Sequence, residues 1–170
     1  WYPIPTRKQQ VMSRIEDAQI LYFDPPVSIL APLKDPQARK RIFAYRKPAQ
    51  TVAPNLQVFA LPPVLPFFYK CRAINRINQK RIARFVCEKM KEHGFSKPLL
   101  WVYSPVTVDC VDLIAHEALV YDCVDRHSAY GGLMNPALVD AMELELAAKT
   151  DMTFATAASL AERLKSAQPE

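Results

Sequence analysis

The sequence predicts an α/β fold with an open, mostly parallel, doubly wound sheet of Rossmann-like type and helices on both faces. The first observation is a set of short runs that are apolar throughout, as in parallel strands buried on both faces. The second is that stretches with helical periodicity separate most of these runs, which is typical of βαβ units. The third is length, because 170 residues favour one domain. We therefore assign residues 1–170 to a single Rossmann-like domain.

The first part of the chain is predicted to begin with a helix over Thr6–Asp17, which carries Val11 and Met12 on one face. The region that follows, residues 25–54, is rich in proline and basic residues and is otherwise irregular. The strands predicted here are Gln19–Phe23, Arg41–Tyr45 and Leu56–Leu61. Pairs of prolines stop the first and the last of them, because proline lacks the N–H that a strand ladder needs.

The rest of the chain alternates helices and strands more regularly. The longest predicted helix, Lys70–His93, ends at Gly94, because glycine readily adopts the left-handed conformation that terminates helices. Asn135 and Pro136 are a typical cap and first-turn pair for a helix that runs to Lys149. The other predicted elements are a short helix at Val108–Ala115, strands at Leu99–Tyr103, Ala118–Val124 and Asp151–Ala155, and a last helix at Ala158–Lys165.

The composition excludes several classes of function. The chain has 15 prolines but only three glycines, whose positions form neither a dinucleotide-binding fingerprint nor a phosphate-binding P-loop. The four cysteines contain no C-x-x-C pair and the three histidines no i, i+4 pair, so we expect no metal site. No cofactor is expected either. No apolar run has the roughly 18 residues of a membrane span, and we expect a cytoplasmic protein. The net charge of +5 permits an anionic partner without requiring one.

The candidate site lies at the carboxyl ends of the predicted strands, where open α/β sheets bind their ligands. The loop Asp125–Gly132 is the richest of these strand ends, since it combines a carboxylate, an imidazole, two hydroxyls and two glycines. Asp125 fits a general base or a residue that positions an acceptor hydroxyl, and His127 fits a donor to a phosphate or sugar oxygen. The alternative is that Asp125 only caps a turn. Asp122, inside the strand, is expected to be a buried structural carboxylate.

Basic residues suggest two contacts with anions. The predicted helix from 70 to 91 carries eight lysines and arginines, which indicates either a solvated basic face or attraction to an anionic membrane surface or an anionic ligand. The second interpretation would bring the protein to the inner face of the cell membrane. Arg7 and Lys8 open the first helix, where the dipole favours an anion; the alternative is a solvent-facing pair. Nucleic acid is not an expected partner, because no helix-turn-helix or RNP-type strand is present.

The segment 119–125 (LVYDCVD), followed by His127-Ser128, resembles a motif of bacterial GT-B glycosyltransferases. The similarity is to the family 4-like group, which includes proteins related to teichuronic acid biosynthesis enzymes. Further stretches that look like this family, in the expected order, are Trp1-Tyr2-Pro3 with Pro5, Arg7 and Gln10, then 21–26 (LYFDPP), 100–105 (LWVYSP) and 151–156 (DMTFAT) with Leu160. Two positions depart from the family pattern: Arg126 replaces an acidic residue and Ala157 replaces a serine.

The resemblance implies the N-terminal, acceptor-binding half of a GT-B fold, without the C-terminal domain that binds the nucleotide-sugar donor. It also implies that the chain begins after the place of that family's first strand. The expected activity is hexosyl transfer in cell-wall, capsule or exopolysaccharide synthesis, with this chain inactive by itself. Asp125 would be catalytic, and a sugar or lipid-linked sugar acceptor would be the partner. The residues expected to bind substrate are Arg7, Lys8, Ser104, Arg126, His127 and Ser128.

A second function class uses the same strand ends. A non-catalytic, flavodoxin-like module would hold a phosphate-containing ligand there and would need no acid–base chemistry. The rest of the open reading frame separates the two classes, because a second βαβ domain with a glycine-rich loop and a late glutamate would support the transferase.

Overall fold

The strands form two three-stranded sheets, one in each of two structural units. The computed structural model describes residues 6–33, 35, 38–132 and 134–167. The first unit is Trp1–Pro66 and the second is Phe67–Glu170. The α/β class predicted from the sequence is confirmed. The opening motif Trp1-Tyr2-Pro3 and Pro5 lie outside the described residues.

The first unit has a mixed sheet in the order β1-β3-β2. Its elements are α1 (Arg7–Met12), β1 (Ile20–Asp24), α2 (Ala38–Ile42), β2 (Gln50–Ala53) and β3 (Leu56–Ala60). The two predicted apolar runs form the parallel pair β1 and β3, while β2 runs antiparallel to β3. The helix α1 ends five residues before its predicted end at Asp17. Beyond it, the carbonyls of Ile15 and Ala18 accept hydrogen bonds from the Asn55 side chain, at 2.7 and 2.9 Å.

The predicted strand at Arg41–Tyr45 is wrong, and the strand β2, which begins five residues after Tyr45, was missed. Residues 41 and 42 end α2, and a 3₁₀ segment follows at Ala44–Arg46. The missed strand β2 is an edge strand whose first three side chains are exposed. Because an edge strand with polar, exposed residues needs no apolar run, β2 leaves no periodic signal in the sequence.

The second unit has a parallel sheet in the order β4-β5-β6. Its elements are α3 (Arg72–Glu92), β4 (Leu99–Val102), β5 (Ala118–Cys123), α4 (Pro136–Lys149), β6 (Met152–Ala155) and α5 (Ala158–Lys165). All six were predicted to within two residues at each end. The predicted short helix at Val108–Ala115 is instead a pair of 3₁₀ segments, Pro105–Asp109 and Val111–Leu113. None of the described helices is both long and apolar enough to cross a bilayer.

The central strand β5 forms the core of the second unit. Its alternating residues Leu119, Tyr121 and Cys123 belong to a buried cluster shared with side chains of α4 and α5. The residues that these two helices contribute are Val139, Met142, Leu146, Ala147, Leu160 and Leu164. Burial of this apolar surface is the main term that stabilises the unit. Asp122, on the opposite face of β5, is fully buried, as predicted.

The helix α3 ends in a Schellman motif, which confirms the predicted role of Gly94. Gly94 has φ of +76°, and the N–H of Phe95 donates to the carbonyl of Met90 at 2.8 Å. The N–H of Gly94 donates in turn to the carbonyl of Lys91 at 3.2 Å. These bonds satisfy carbonyls that the last helical turn would otherwise leave without donors.

We expect Gly94→Ala to lower the free energy of unfolding by about 1–2 kcal/mol, because an L-residue is strained in the left-handed region. No atom lies within 4 Å of the added Cβ, so the cost is conformational rather than steric. Gly131→Ala is the matched control, since Gly131 has neither a positive φ nor a close neighbour. Urea unfolding followed by circular dichroism gives both values. Equal effects of the two substitutions would contradict this account of the helix end.

Candidate functional site

The strand-end loop of β5 holds an exposed carboxylate beside a tyrosine and a histidine. Asp125 follows the end of β5 by two residues, and its Oδ2 accepts a hydrogen bond from the Tyr130 hydroxyl at 2.7 Å. A 3₁₀ segment at His127–Ala129 turns the chain so that Tyr130 points back towards Asp125. Among the described residues, no protein group donates to the other oxygen of Asp125, Oδ1. That oxygen is therefore available to a ligand.

The phenol of Tyr130 is held in its protonated, donating form. The hydrogen bond to Asp125, reinforced by partial burial, raises the pKa of Tyr130 to about 12. The ring of His127 meets the ring of Tyr130 edge-on, with centroids 5.7 Å apart. The Nδ1 atom of His127 also lies 3.1 Å from the backbone carbonyl oxygen of Asp125. The loop thus collects an acceptor, a donor and an imidazole within one short turn.

Ser104 lies at the end of the neighbouring strand β4, on the same edge of the sheet. Its side chain is hydrogen-bonded to the side chain of Tyr69. Burial raises the pKa of Tyr69, and this hydrogen bond partly opposes the rise. Because Val102 pairs with Tyr121 in the parallel strands β4 and β5, Ser104 and Asp125 both follow the same edge of the sheet, as the strand-end rule requires. Tyr69 was missed, because it precedes a helix rather than following a strand.

Arg126 and Ser128 are bound to each other. The Nε atom of Arg126 donates to the Ser128 hydroxyl at 3.1 Å, and its Nη2 atom lies 3.6 Å from Oδ2 of Asp140. Ser128 is buried, whereas the Arg126 side chain is mostly exposed. Ser128 therefore supports the loop from inside, and Arg126 is the member of this pair that a ligand can reach.

Arg7 and Lys8 belong to the first unit, in the first turn of α1. The start of this helix is capped by Gln9, whose Oε1 accepts from the N–H of Thr6 at 2.8 Å. Arg7 is exposed and Lys8 is half-buried. Within the described ranges, no three His, Cys, Asp or Glu side chains converge in a way that could hold a metal ion.

Several cations of α3 are engaged within the second unit. Arg72 bridges Asp109 at 3.0 Å and Glu145 at 2.6 Å, and Lys89 pairs with Glu92 at 2.8 Å. These pairs reduce the basic face predicted for residues 70–91. The basic residues of α3 that are exposed and have no carboxylate partner in the described part of the chain are Lys80, Arg81, Arg84 and Lys91.

A buried carboxylate behind the loop was not predicted from the sequence. Glu143 of α4 is fully buried, and its Oε1 accepts from the Tyr121 hydroxyl at 2.5 Å and from the Cys123 thiol at 3.4 Å. Its Oε2 accepts a hydrogen bond from Nη2 of Arg163 in α5. Burial, followed by the charge of Glu143, raises the pKa of Tyr121 far above its usual range. A signal existed, because Glu143 interrupts the apolar stripe of Val139, Met142 and Leu146.

This buried carboxylate is connected to the strand-end loop. The Nη1 atom of Arg163 lies 3.3 Å from Oδ1 of Asp140, whose other oxygen faces Arg126. Arg126 in turn donates to Ser128 inside the loop. A continuous polar network therefore runs from Glu143 in the core to the loop that carries Asp125.

The cysteines of the second unit differ sharply in environment. Burial raises the pKa of Cys123 to about 11 and that of Cys110 to about 12, so both stay protonated thiols at neutral pH. Cys71 is exposed and Cys87 half-buried. None of the four is disulfide-bonded.

No protein-family model matches the chain, and no curated protein or solved structure is significantly similar to it. The resemblance to bacterial GT-B glycosyltransferases therefore stays a prediction that depends on the motifs quoted above.

Loss of the Asp125 charge should lower the pKa of Tyr130 from about 12 towards the usual value of about 10, because the phenol would lose its anionic acceptor. Asp125→Asn is the test, with absorbance titration of the phenols and Tyr130→Phe to identify the transition. Asp112→Asn is the control, since Asp112 is an exposed acid of the same unit that pairs with Lys149. An unchanged Tyr130 transition in Asp125→Asn would show that the hydrogen bond is not formed.

Arg163→Met should cost about 3–5 kcal/mol of unfolding free energy, because it leaves the Glu143 carboxylate buried without its cation. Arg76→Met is the control: Arg76 is 63% exposed and lies 3.6 Å from Asp109, and we expect it to cost less than about 1 kcal/mol. Urea unfolding measures both. Equal losses of unfolding free energy in the two variants would show that Arg163 does not stabilise the buried Glu143 carboxylate.

Proposed function

We propose that this chain is the acceptor-binding part of a nucleotide-sugar-dependent glycosyltransferase of the GT-B type. The reaction would be hexosyl transfer to a sugar or lipid-linked sugar in cell-wall, capsule or exopolysaccharide synthesis. A separate domain would bind the donor, so the chain alone would transfer no sugar. The observation that carries the proposal is the Asp125 carboxylate, which is exposed at the carboxyl end of the central parallel strand with one oxygen open to a ligand.

The chemistry of this loop suits a hydroxyl acceptor. A sugar hydroxyl is a poor nucleophile at neutral pH, and a positioned carboxylate that takes its proton accelerates attack by about 10²–10⁴-fold. Tyr130 holds Oδ2 of Asp125 at 2.7 Å, which leaves Oδ1 to accept from the sugar. His127 and Arg126 can donate to neighbouring sugar oxygens, and Ser104 follows β4 at the same edge of the sheet. In the first unit, Arg7 and Lys8 are the proposed contacts for phosphate groups.

The proposal includes the finer fold prediction, a Rossmann-like half of a GT-B enzyme. The parallel strands β5 and β6, joined by the helix α4 that packs on the sheet, support it, because βαβ units of this kind build Rossmann-like folds. A phosphate-binding, flavodoxin-like module would use the same sheet. The carboxylate of Asp125 disfavours this alternative, because it would repel an anion bound at the same loop.

A membrane contact through α3 is the second part of the proposal. Its four exposed, uncompensated cations, Lys80, Arg81, Arg84 and Lys91, would attract anionic lipid headgroups from outside the headgroup layer. Each contributes only a fraction of the about 1 kcal/mol of a cation at the surface, so the four together strengthen binding less than about tenfold. This contact would attach the cytoplasmic protein to the inner face of the membrane, close to a lipid-linked acceptor.

Titration of the ¹⁵N-labelled chain with a panel of neutral saccharides, and separately with inorganic phosphate, tests the proposal. We expect sugars to shift the amide signals of Ser128, Gly131 and Gly132, and Asp125→Asn to weaken this binding at least tenfold with little change in melting temperature. Asp112→Asn, a change of equal charge elsewhere in the unit, should bind as the parent does.

Three outcomes would contradict the proposal. Phosphate that shifts the same amides while no saccharide does would favour the flavodoxin-like module. Full saccharide binding by Asp125→Asn would remove Asp125 from the site. Sugar transfer by this chain alone, from a nucleotide-sugar to any acceptor of the panel, would exclude a missing donor domain.

A further inference from the structure

The net charge of the protein is confined to its first unit. Residues 1–66 contain nine basic and four acidic side chains, whereas residues 67–170 contain thirteen of each. Within the first unit, residues 28–47 alone contain six basic residues and one acidic residue. The net charge of residues 28–47 is therefore +5, equal to the net charge of the whole chain.

The same stretch exposes large apolar side chains. Leu33 is 82% exposed and Phe43 54% exposed, and Ile29 and Leu30 are each about two-fifths exposed. The basic residues exposed in this stretch are Arg39, Lys40, Arg41, Arg46 and Lys47. We call residues 28–47 the basic–apolar segment. Single exposed apolar residues are ordinary, but four of them within fifteen positions, next to five cations, mark an interaction surface.

Backbone hydrogen bonds hold the ends and the turns of this segment. The N–H of Ile29 donates to the carbonyl of Val64, and the N–H of Val64 to that of Val27, both at 3.0 Å. The N–H of Leu33 donates to the carbonyl of Leu30 at 3.1 Å, and the N–H of Asp35 to that of Ala31 at 2.9 Å. The exposure of Leu33 is thus a property of a hydrogen-bonded turn.

Phe43 and its neighbours combine the two kinds of side chain. The guanidinium of Arg46 lies over the rings of Phe43 and Tyr45, 5.6 and 5.5 Å from their centroids. An aromatic ring beside a cation suits the boundary between lipid headgroups and acyl chains, where the ring meets hydrocarbon and the cation meets phosphate. A nucleic acid would pair with the cations but would leave Ile29, Leu30 and Leu33 in water.

We propose that the basic–apolar segment docks the first unit on an anionic phospholipid bilayer, with Leu33 and Phe43 entering the headgroup region and the arginines and lysines contacting lipid phosphates. This inference does not depend on the proposed reaction, and it concerns a different surface from α3. The second unit, to which α3 belongs, carries no net charge, and the exposed side of α3 has one large apolar residue, Ile77.

Vesicle co-sedimentation with two matched triple variants separates these surfaces. Arg39→Gln/Lys40→Gln/Arg41→Gln and Lys80→Gln/Arg81→Gln/Arg84→Gln each remove three positive charges. With vesicles of phosphatidylcholine and phosphatidylglycerol at low salt, we expect the first variant to bind about a hundredfold more weakly, and the second to lose less than tenfold. Equal losses would show that binding follows total charge, and a larger loss in the second would assign the membrane to α3; either result overturns the proposal.

The apolar component needs its own test. Leu33→Ser should lower vesicle affinity about tenfold at low and at high salt, because burial of a leucine is not screened by ions. Leu113→Ser is the matched control, a leucine of the second unit that is 47% exposed. Both sites are exposed, so circular dichroism should show the parent fold in each. Equal binding by Leu33→Ser and the parent would overturn the insertion of Leu33.

A fluorescence measurement and a competitor complete the test. Leu33→Trp should gain fluorescence emission on vesicle binding, and brominated lipids should quench this emission; Leu113→Trp should show neither effect.

A short DNA duplex should displace the protein from vesicles only weakly. If the duplex binds more tightly than the vesicles, loses this binding in the Arg39–Arg41 variant and is indifferent to Leu33→Ser, the segment is a nucleic-acid site and the membrane proposal is wrong.

Discussion

The arrangement of the second unit depends on one buried carboxylate, that of Glu143, which is shared between the Tyr121 hydroxyl and the Arg163 guanidinium. These three side chains join the central strand to both helices that cover it, in a core whose other members are almost all apolar. A buried charge is stable only when every partner is in place, so the packing of β5, α4 and α5 is specified together. Asp140 and Arg126 extend this requirement to the loop of Asp125, which is therefore positioned by the core and not only by its own turn.

Local signals in the sequence predicted most of the elements, because apolar runs, caps and helix-ending glycines act within a few residues. The strands β1, β3, β4, β5 and β6 and the helices α3, α4 and α5 were found in this way. What the sequence could not indicate was pairing across the chain. The edge strand β2 is defined by its hydrogen bonds to β3, and the chain after α1 is held by the distant side chain of Asn55. The number of sheets likewise follows from tertiary contacts, which propensity does not encode.

The candidate site shows the same division. Asp125 and His127 could be selected because the sequence shows that they come directly after a buried strand. Ser104 could be selected in the same way, because it comes after the neighbouring strand. Tyr130 lies in the predicted loop, but its partner could not be predicted, since its hydrogen bond to Asp125 requires the 3₁₀ turn between them. The cations of α3 were counted as one face, but Arg72 is engaged by Asp109 and Glu145, which lie on other elements. Charge counting along a helix overestimates its attraction for anions whenever acids from other elements reach it.

The thiols of Cys110 and Cys123 have a practical consequence. Because both are buried and protonated at neutral pH, a thiol-directed reagent can modify them only when the second unit opens, whereas Cys71 is accessible in the folded protein. Labelling should therefore proceed in two phases. The fast phase reports the exposed Cys71 thiol, and the slow phase reports how often the strand that carries Cys123 leaves the core. Mass spectrometry of labelled peptides would thus follow local opening in the native protein without any introduced probe.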